Sequence, residues 1–352
     1  MTEPDRRKVR EFARHVFGLY TGASLAYLID IGHRTGLFTA AAAGPGAPSD
    51  LAGRAGLDER YVREWLGAMA TGGIMTVEDG IYALPPEHAA ALTGDGSKNM
   101  APMAAMVTLL GRNLDGVVDA FRHGGGVPYS AFRPEFASVM DQLNRRPLDE
   151  LLVDVWLPLV PGLTERLAGG ARVADVGCGT GHALALLGAA FPASSFVGYD
   201  LAPEAIALAA REATDRELTN VRFDVADIAQ LAPAEPLDVV FAFDAIHDQV
   251  DPGAVLAAVH DALVPGGQFV MVDIAAQTDV ADNVGNPFAP WIYAMSTLHC
   301  MTVSLAEGGA GLGAAWGEQT ARRMLADAGF GEVAVHPAPG QALNAIYATT
   351  RS

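Results

Sequence analysis

Cysteine is scarce: the 352 residues hold two, Cys178 and Cys300, far apart in the chain. That count excludes a disulfide framework, and two thiols suit a reducing cytosol. Charge is also sparse, at 18% of residues, and of uneven sign, since 23 Lys and Arg against 41 Asp and Glu give a net −18. Such a chain repels phosphate backbones unless its cations are gathered in one place. The one basic cluster, Arg6, Arg7, Lys8, Arg10 and Arg14, is interleaved with Glu3, Asp5 and Glu11 and reads as a solvated helix face. A nucleic-acid partner is therefore not expected. No apolar run is long enough to span a bilayer, and the charged N-terminus lacks the apolar stretch of a signal peptide. The expected location is the cytoplasm, with no membrane contact. His299 and Cys300 are neighbours, but no four-ligand spacing accompanies them, so no metal is expected.

What is present is apolar: half the residues are hydrophobic, enough for a sizeable core and, at roughly 150 residues per domain, about two domains. Apolar positions recur at helical spacing from Val9 to Tyr20 and from Ala23 to Phe38. An Ala/Gly/Pro loop follows around Gly44 to Pro48. Ser49 or Asp50 can cap a short helix over Leu51 to Ala55, and Asp58 can cap another over Tyr61 to Ala70. Gly72-Gly73 stops that helix. Ile74 to Val77 and Ile81 to Leu84 then form a hairpin turning at Asp79-Gly80. Helix, helix, turn, helix and hairpin is a winged-helix order. Its would-be recognition helix carries Arg60 and Arg63 but also Asp58, Glu59 and Glu64, which suits dimerisation or scaffolding better than a DNA groove.

Residues 1–98 are thus expected to be a winged-helix-like domain and 99–168 a helical bridging segment, broken by the loop His123 to Pro128. From Ala171 short buried strands alternate with helices, the pattern of a parallel α/β sheet over 169–352.

The densest signal is Val173-Ala174-Asp175-Val176-Gly177-Cys178-Gly179-Thr180-Gly181, a strand running into a glycine turn before an apolar helix. Glycine serves where the backbone turns tightly and approaches a ligand. A dinucleotide fingerprint would place its third glycine one residue later. Asp175, two residues before the first glycine, would repel a pyrophosphate and attract the ammonium of S-adenosylmethionine. The next strand, Ser195 to Tyr199, ends in Asp200, about 20 residues on, where a ribose diol is usually held. Leu201 follows it. After Val221 to Val225, Asp227 can accept from an adenine amino group while Ile228 covers the ring. Leu237 to Phe243 leads into Asp244-Ala245-Ile246-His247-Asp248, and Pro265-Gly266-Gly267 precedes a fifth strand. Phe243 and Asp244 are expected at the same crevice.

Together these residues resemble the class I S-adenosylmethionine-dependent methyltransferases over roughly Arg172 to Ser352. The resemblance implies a seven-stranded Rossmann-like sheet with a last antiparallel strand, for which Glu332 to His336 and Leu343 to Thr349 are available. It also implies S-adenosylmethionine as cofactor. The helical N-terminal part and His247-Asp248 after strand four are similar to small-molecule O-methyltransferases of plant and bacterial secondary metabolism, in which that pair includes the catalytic base and the N-terminal domain dimerises. The segments Asp244 to Asp251 and Asp282 to Pro287 look closer still to an actinobacterial group of winged-helix methyltransferases. One departure is Gln249, where the plant-type enzymes usually carry tryptophan.

His247 is the expected general base: its neutral form can take a proton from a hydroxyl near neutral pH, with Asp248 or another acid orienting the ring. The irregular stretch 275–316 is expected to cap the acceptor pocket, with Trp291, Tyr293 and His299 as wall. Tyr129, beside the bridging glycine loop, is a further expected contact. Gly308 to Gly313 follows no strand and reads as a flexible lid or a turn. The expected partners are a small-molecule acceptor and a second copy of the chain. Two other functions fit the same features: a DNA-binding regulator that senses S-adenosylmethionine, and a cofactor-binding relative without methyl transfer.

Overall fold

Residues 4–352 are described by the computed structural model, so Glu3 lies outside the described residues. The chain divides into two units, one ending at Gly111 and one starting at Arg112. The division falls inside the segment expected to bridge the domains.

In the first unit, α1 (Arg6–Arg34) is a single helix, where periodicity suggests two. Gly22 does not break it, because one glycine costs only about 1 kcal/mol. The Thr21 and Ser24 hydroxyls also stay within the helix by bonding to the Phe17 and Tyr20 carbonyls. Next come α2 (Leu37–Ala42), α3 (Pro48–Ala55) and α4 (Glu59–Thr71). Pro48 starts α3 earlier than expected. Asp50, inside the first turn, accepts from the Ala47 amide. Asp58 caps α4 as expected, accepting from the Arg60 and Tyr61 amides. The hairpin β1 (Thr76–Glu78) and β2 (Ile81–Ala83) turns at Asp79-Gly80, both at positive φ. Helices α5 (Pro86–Leu92) and α6 (Met103–Gly111) complete the unit, the latter packing on α1. Its core is Leu37, Phe38, Leu51, Val62, Trp65, Leu66 and Met69, and the Trp65 indole donates to the Leu28 carbonyl at 2.8 Å.

The second unit opens with α7 (Leu114–His123), α8 (Glu135–Leu151) and α9 (Leu163–Ala168). A seven-stranded sheet then alternates with helices: β3 (Arg172–Val176), α10 (His182–Ala190), β4 (Ser195–Asp200), α11 (Pro203–Asp215), β5 (Val221–Val225), β6 (Leu237–Phe243), α12 (Pro252–Ala262) and β7 (Leu263–Ile274). Helices α13 (Val280–Asn283), α14 (Ala289–Met295), α15 (Met301–Ala306) and α16 (Gly317–Asp327) precede β8 (Ala334–Pro337) and β9 (Asn344–Thr350). The strand order is β5-β4-β3-β6-β7-β9-β8, parallel except for β9, which runs antiparallel to both neighbours. Strand β7 starts five residues before the expected Gln268, since Leu263 already pairs with Leu237.

Val239, Val240, Phe241 and Ala242 of β6 are wholly buried, and the sheet carries an apolar cluster on each face. Each such Val or Phe contributes about 1.5–3 kcal/mol by leaving water. Chain order reverses on either side of β3, so a crevice opens beyond its carboxyl end. The stretch expected to be an irregular cap is mostly helical: α14 continues through a π-helical turn, Ser296–Cys300, into α15. Buried residues on several sides leave that helix no single apolar stripe to reveal it in sequence.

Candidate active site

Strand β3 delivers a glycine turn in which Gly177, Gly179 and Gly181 all have positive φ. A Cβ on Gly177 would lie 2.4 Å from that of Ala245, and one on Gly181 would lie 2.5 Å from the Phe223 ring. Nothing crowds Gly179, whose open side borders the crevice. Its amide donates to Asp200 Oδ2 at 2.9 Å, and the Ala202 amide donates to Oδ1 at 2.8 Å, so the turn itself aims the second acid. Burial pushes the Asp200 pKa up, partly offset by these two bonds.

Asp175 is 1% exposed, and its Oδ1 has no partner. Burial, reinforced by Asp200, raises its pKa to about 8. A bare carboxylate in this position is completed by a cation, and the ammonium of an amino-acid nucleoside fits where a phosphate does not. Leu201, Ile228 and Phe243 add apolar lining to the same cavity, which encloses about 600 Å³. The donor set therefore fits S-adenosylmethionine: Asp175 for the ammonium, Asp200 for a diol, and Ile228 beside the base.

Asp244 ends β6 at φ 51° and accepts from Asn344 Nδ2 at 2.6 Å. Burial and then Asp273 raise it to about 7. Asp248 lines the cavity and is raised to about 6 by burial, against the pull of His247. His247 is 3% exposed and lies behind this wall rather than on it. Its Nδ1–H donates to Asp273 Oδ1 at 2.7 Å, an oxygen that also receives the Ile274 amide and the Trp316 indole. Burial works against a charged imidazole, but Asp273 and the Cys300 sulfur outweigh it and hold the His247 pKa well above its ordinary value.

Helix α8 closes one side. Arg145 donates to both oxygens of Asp141 and of Glu212, and Thr180 of the glycine turn donates to Asp141 at 2.7 Å. His182 contacts Glu212 at 2.7 Å through Nδ1 and Asp149 at 2.9 Å through Nε2. The network ties α8 to α10 and α11. Nearer the cavity mouth, Arg133 is held by both oxygens of Glu204 and lies 5.9 Å from the centre of the Tyr129 ring.

Of the expected site residues, Asp175, Gly177, Gly179, Asp200, Leu201, Ile228, Phe243, Asp244, Asp248 and Tyr129 come together around the cavity. Gly181 stands one step back as the N-cap of α10. Asp227 is exposed and turned away, capping the Ile228–Gln230 turn by accepting from the Ala229 amide. Trp291 and Tyr293 are half-buried on α14 outside the cavity, and the Tyr293 hydroxyl accepts from Asn283. His299 is fully buried behind the wall, stacked on Phe136 at 3.7 Å with both ring nitrogens unpartnered; burial, then His247, lowers its pKa to about 3. Gly308–Gly313 is a pinned turn, not a lid: the Ala310 and Gly313 amides donate to the Val250 and His247 carbonyls. Sequence reasoning missed Arg133, Phe136, Asp141, Arg145 and Asp273. For Asp273 a signal exists, a lone acid inside the apolar run Phe269 to Ile274. Among the described residues no cluster suited to a metal ion is found, and no helix is long and apolar enough to cross a membrane.

A family profile described as a methyltransferase domain matches residues 167–329. The chain carries a methyltransferase domain with the class I S-adenosylmethionine-dependent methyltransferase fold. An Rv2258c-like winged HTH domain matches residues 23–94. The trans-aconitate 2-methyltransferase of Variovorax paradoxus is 33% identical over 156 residues, covering 40% of this chain and 54% of that protein. The chain spans between about a quarter and a half of the length of the first curated relatives it matches. The methyltransferase fold is shared with an O-methyltransferase family protein from Burkholderia thailandensis (TM-score 0.70, 18% identity, 97% of this chain and 98% of that one). It is also shared with human N-acetylserotonin methyltransferase in complex with SAM (TM-score 0.67, 16% identity, 100% and 99%).

An ammonium held by Asp175 would give cofactor binding a pH signature. Only its ionised form attracts an ammonium, and in the free protein that form is scarce below about pH 8. Affinity for S-adenosylhomocysteine, followed by calorimetry, is expected to rise by up to about tenfold per pH unit from roughly pH 6 towards that value and then level off. A profile flat across this range would take Asp175 out of cofactor binding.

Proposed function

We propose that the protein transfers a methyl group from S-adenosylmethionine to a hydroxyl of a small-molecule acceptor, with Asp248 as the group that receives the proton. The carrying observation is the cavity that holds Asp175 and Asp200 at one end and Asp248 on its wall. The bound cofactor supplies a methyl group on a positively charged sulfur. Asp175 and Asp200 fix its position, and the aromatic wall of Tyr129 and Phe136 orients the acceptor and limits water. With the methyl group supplied by the bound cofactor, the Asp248 carboxylate would take the proton that the attacking hydroxyl gives up. A base with pKa about 6 is ionised at neutral pH and near the range where proton transfer is efficient. His247, fixed by Asp273, acts behind it as a positioning residue. Much of the acceleration comes from placement.

The substrate named for the relatives, trans-aconitate, is not carried over to this chain. Of the guanidiniums on the cavity wall, Arg145 is held at all three nitrogens by Asp141 and Glu212, and Arg133 is paired through Nε and Nη2 with Glu204. Incubation with labelled cofactor and a panel of phenols, amines, thiols and carboxylates tests the assignment. Label in a phenolic product supports it, and cofactor binding without transfer to any acceptor rejects it. DNA sensing is not favoured, because Arg60 and Arg63 of α4 are each paired with a glutamate one turn away.

We further propose a homodimer formed through α1. Val9, Phe12, Phe17, Leu19 and Tyr20 are each more than half exposed, on a helix about 43 Å long. The basic residues of its first turns also suit a second copy of a chain with net charge −18. Light scattering at micromolar concentration is expected to give twice the chain mass. The double variant Phe12→Asp, Phe17→Asp is expected to give the single mass. A monomeric parent protein would refute the arrangement.

A further inference from the structure

We infer that Arg133 and Glu204 form a bar across the mouth of the cavity, which must break for S-adenosylmethionine to enter and for S-adenosylhomocysteine to leave. The inference rests on the cofactor reading of this cavity and adds a control on exchange to it. Two exposed lining residues mark the mouth on separate segments: Ser130, in the turn between α7 and α8, and Leu201, between β4 and α11. Arg133 and Glu204 follow them by three residues each. The guanidinium joins the segments by donating from Nε and Nη2, each to a different oxygen of Glu204. The two side chains are 28% and 35% exposed, so the joint lies at the rim. Asp200 is close by: burial raises its pKa, and Arg133 works against that rise. A diol held by Asp200 therefore lies against the bar.

The backbone on the Arg133 side has little freedom to lift. The Val127 amide donates to Thr302 Oγ1 at 2.8 Å, and a Cβ on Gly126 would lie 1.9 Å from the Thr302 carbonyl oxygen. Phe132 is wholly buried, edge-on to His299 at 4.6 Å. Opening thus falls to the Arg133 side chain, whose carbon stem can rotate. Two charge-assisted bonds made together hold it closed, and the Tyr129 ring, 5.9 Å from the guanidinium, backs it. A bar that closes over the cavity, free or filled, slows entry and exit alike. A plain contact to the cofactor slows exit alone.

The test measures association and dissociation of S-adenosylhomocysteine by surface plasmon resonance on the immobilised full chain. This ligand has no net charge, so losing a charge from the rim alters steering little. Arg133→Gln and Glu204→Gln are each expected to raise both rates about tenfold and to leave Kd within about threefold. The double variant is expected to be no faster than either single one, because the two residues act as one joint. Parent rates should also climb from about 50 mM to about 500 mM salt, and variant rates should stay flat. Variant rates within about twofold of the parent's would overturn the inference. So would faster dissociation with association unchanged, which makes the pair an affinity contact. A parent chain that takes up no S-adenosylhomocysteine would instead strike the cofactor reading of the cavity.

Discussion

The variant Asp175→Asn is expected to bind S-adenosylhomocysteine at least about 100-fold more weakly than the parent protein while unfolding at the same temperature or higher. The two halves of this result come from one carboxylate. Removing a partner from a buried ionic contact costs about 3–5 kcal/mol, or two to three orders of magnitude in affinity. In the free protein the same group is a burden, because its Oδ1 is buried without a partner. Its folded pKa of about 8 lies above the ordinary carboxylate value, so the folded state binds the proton that the unfolded state has released. Stability is fully retained below the unfolded pKa and falls as pH rises towards about 8, by on the order of a few kcal/mol. Asparagine keeps the shape and removes that slope. Calorimetry with and without ligand, paired with thermal unfolding at pH 6 and pH 8, reads both halves. Parent-like affinity in the variant would end the assignment of Asp175 to the cofactor's ammonium.

Replacing Asp248 by asparagine is expected to lower kcat by about 10²–10⁴ with acceptor KM little changed, the range for loss of a positioned general base. The pH profile separates this from a structural effect. With a pKa of about 6, Asp248 must lose its proton to act, so parent turnover should fall as pH drops through that value. The acid limb should vanish in Asp248→Asn. His247 is the rival base: its bond to Asp273 fixes the ring, but the imidazole is buried beside Cys300. Turnover that survives Asp248→Asn with its acid limb intact, and collapses in His247→Gln, would transfer the role to His247.

What could be read in the chain was chemistry packed into a short run. Asp175 and the three glycines lie within seven residues, and each has a local reason to be there. Strands β3, β4, β6 and the second half of β7 were legible for the same cause, each being a brief apolar run, while β8 and β9 were expected only from the family resemblance. Other features depend on distant segments. Arg145 gains its role only when α8 folds over Thr180, 35 residues later, and the Arg133–Glu204 pair spans 71. Nothing near His247 says that its partner is Asp273 or that Cys300 will cover it. Asp227 shows a different limit. A carboxylate after a strand serves a ligand or a turn equally well, and here the Ala229 amide takes it.

The two interleaved rows on α8, Phe136-Met140-Asn144 and Ala137-Asp141-Arg145, all border the cavity. Each row advances by four residues, close to one helical turn. Adding or deleting a single residue before them would swing both rows about 100° and dislodge the acceptor wall and the clasp on the glycine turn at once. New acceptors are therefore reachable by exchanging side chains along this wall. Changes in its length would forfeit the cofactor as well, which sets a practical rule for anyone redesigning the pocket.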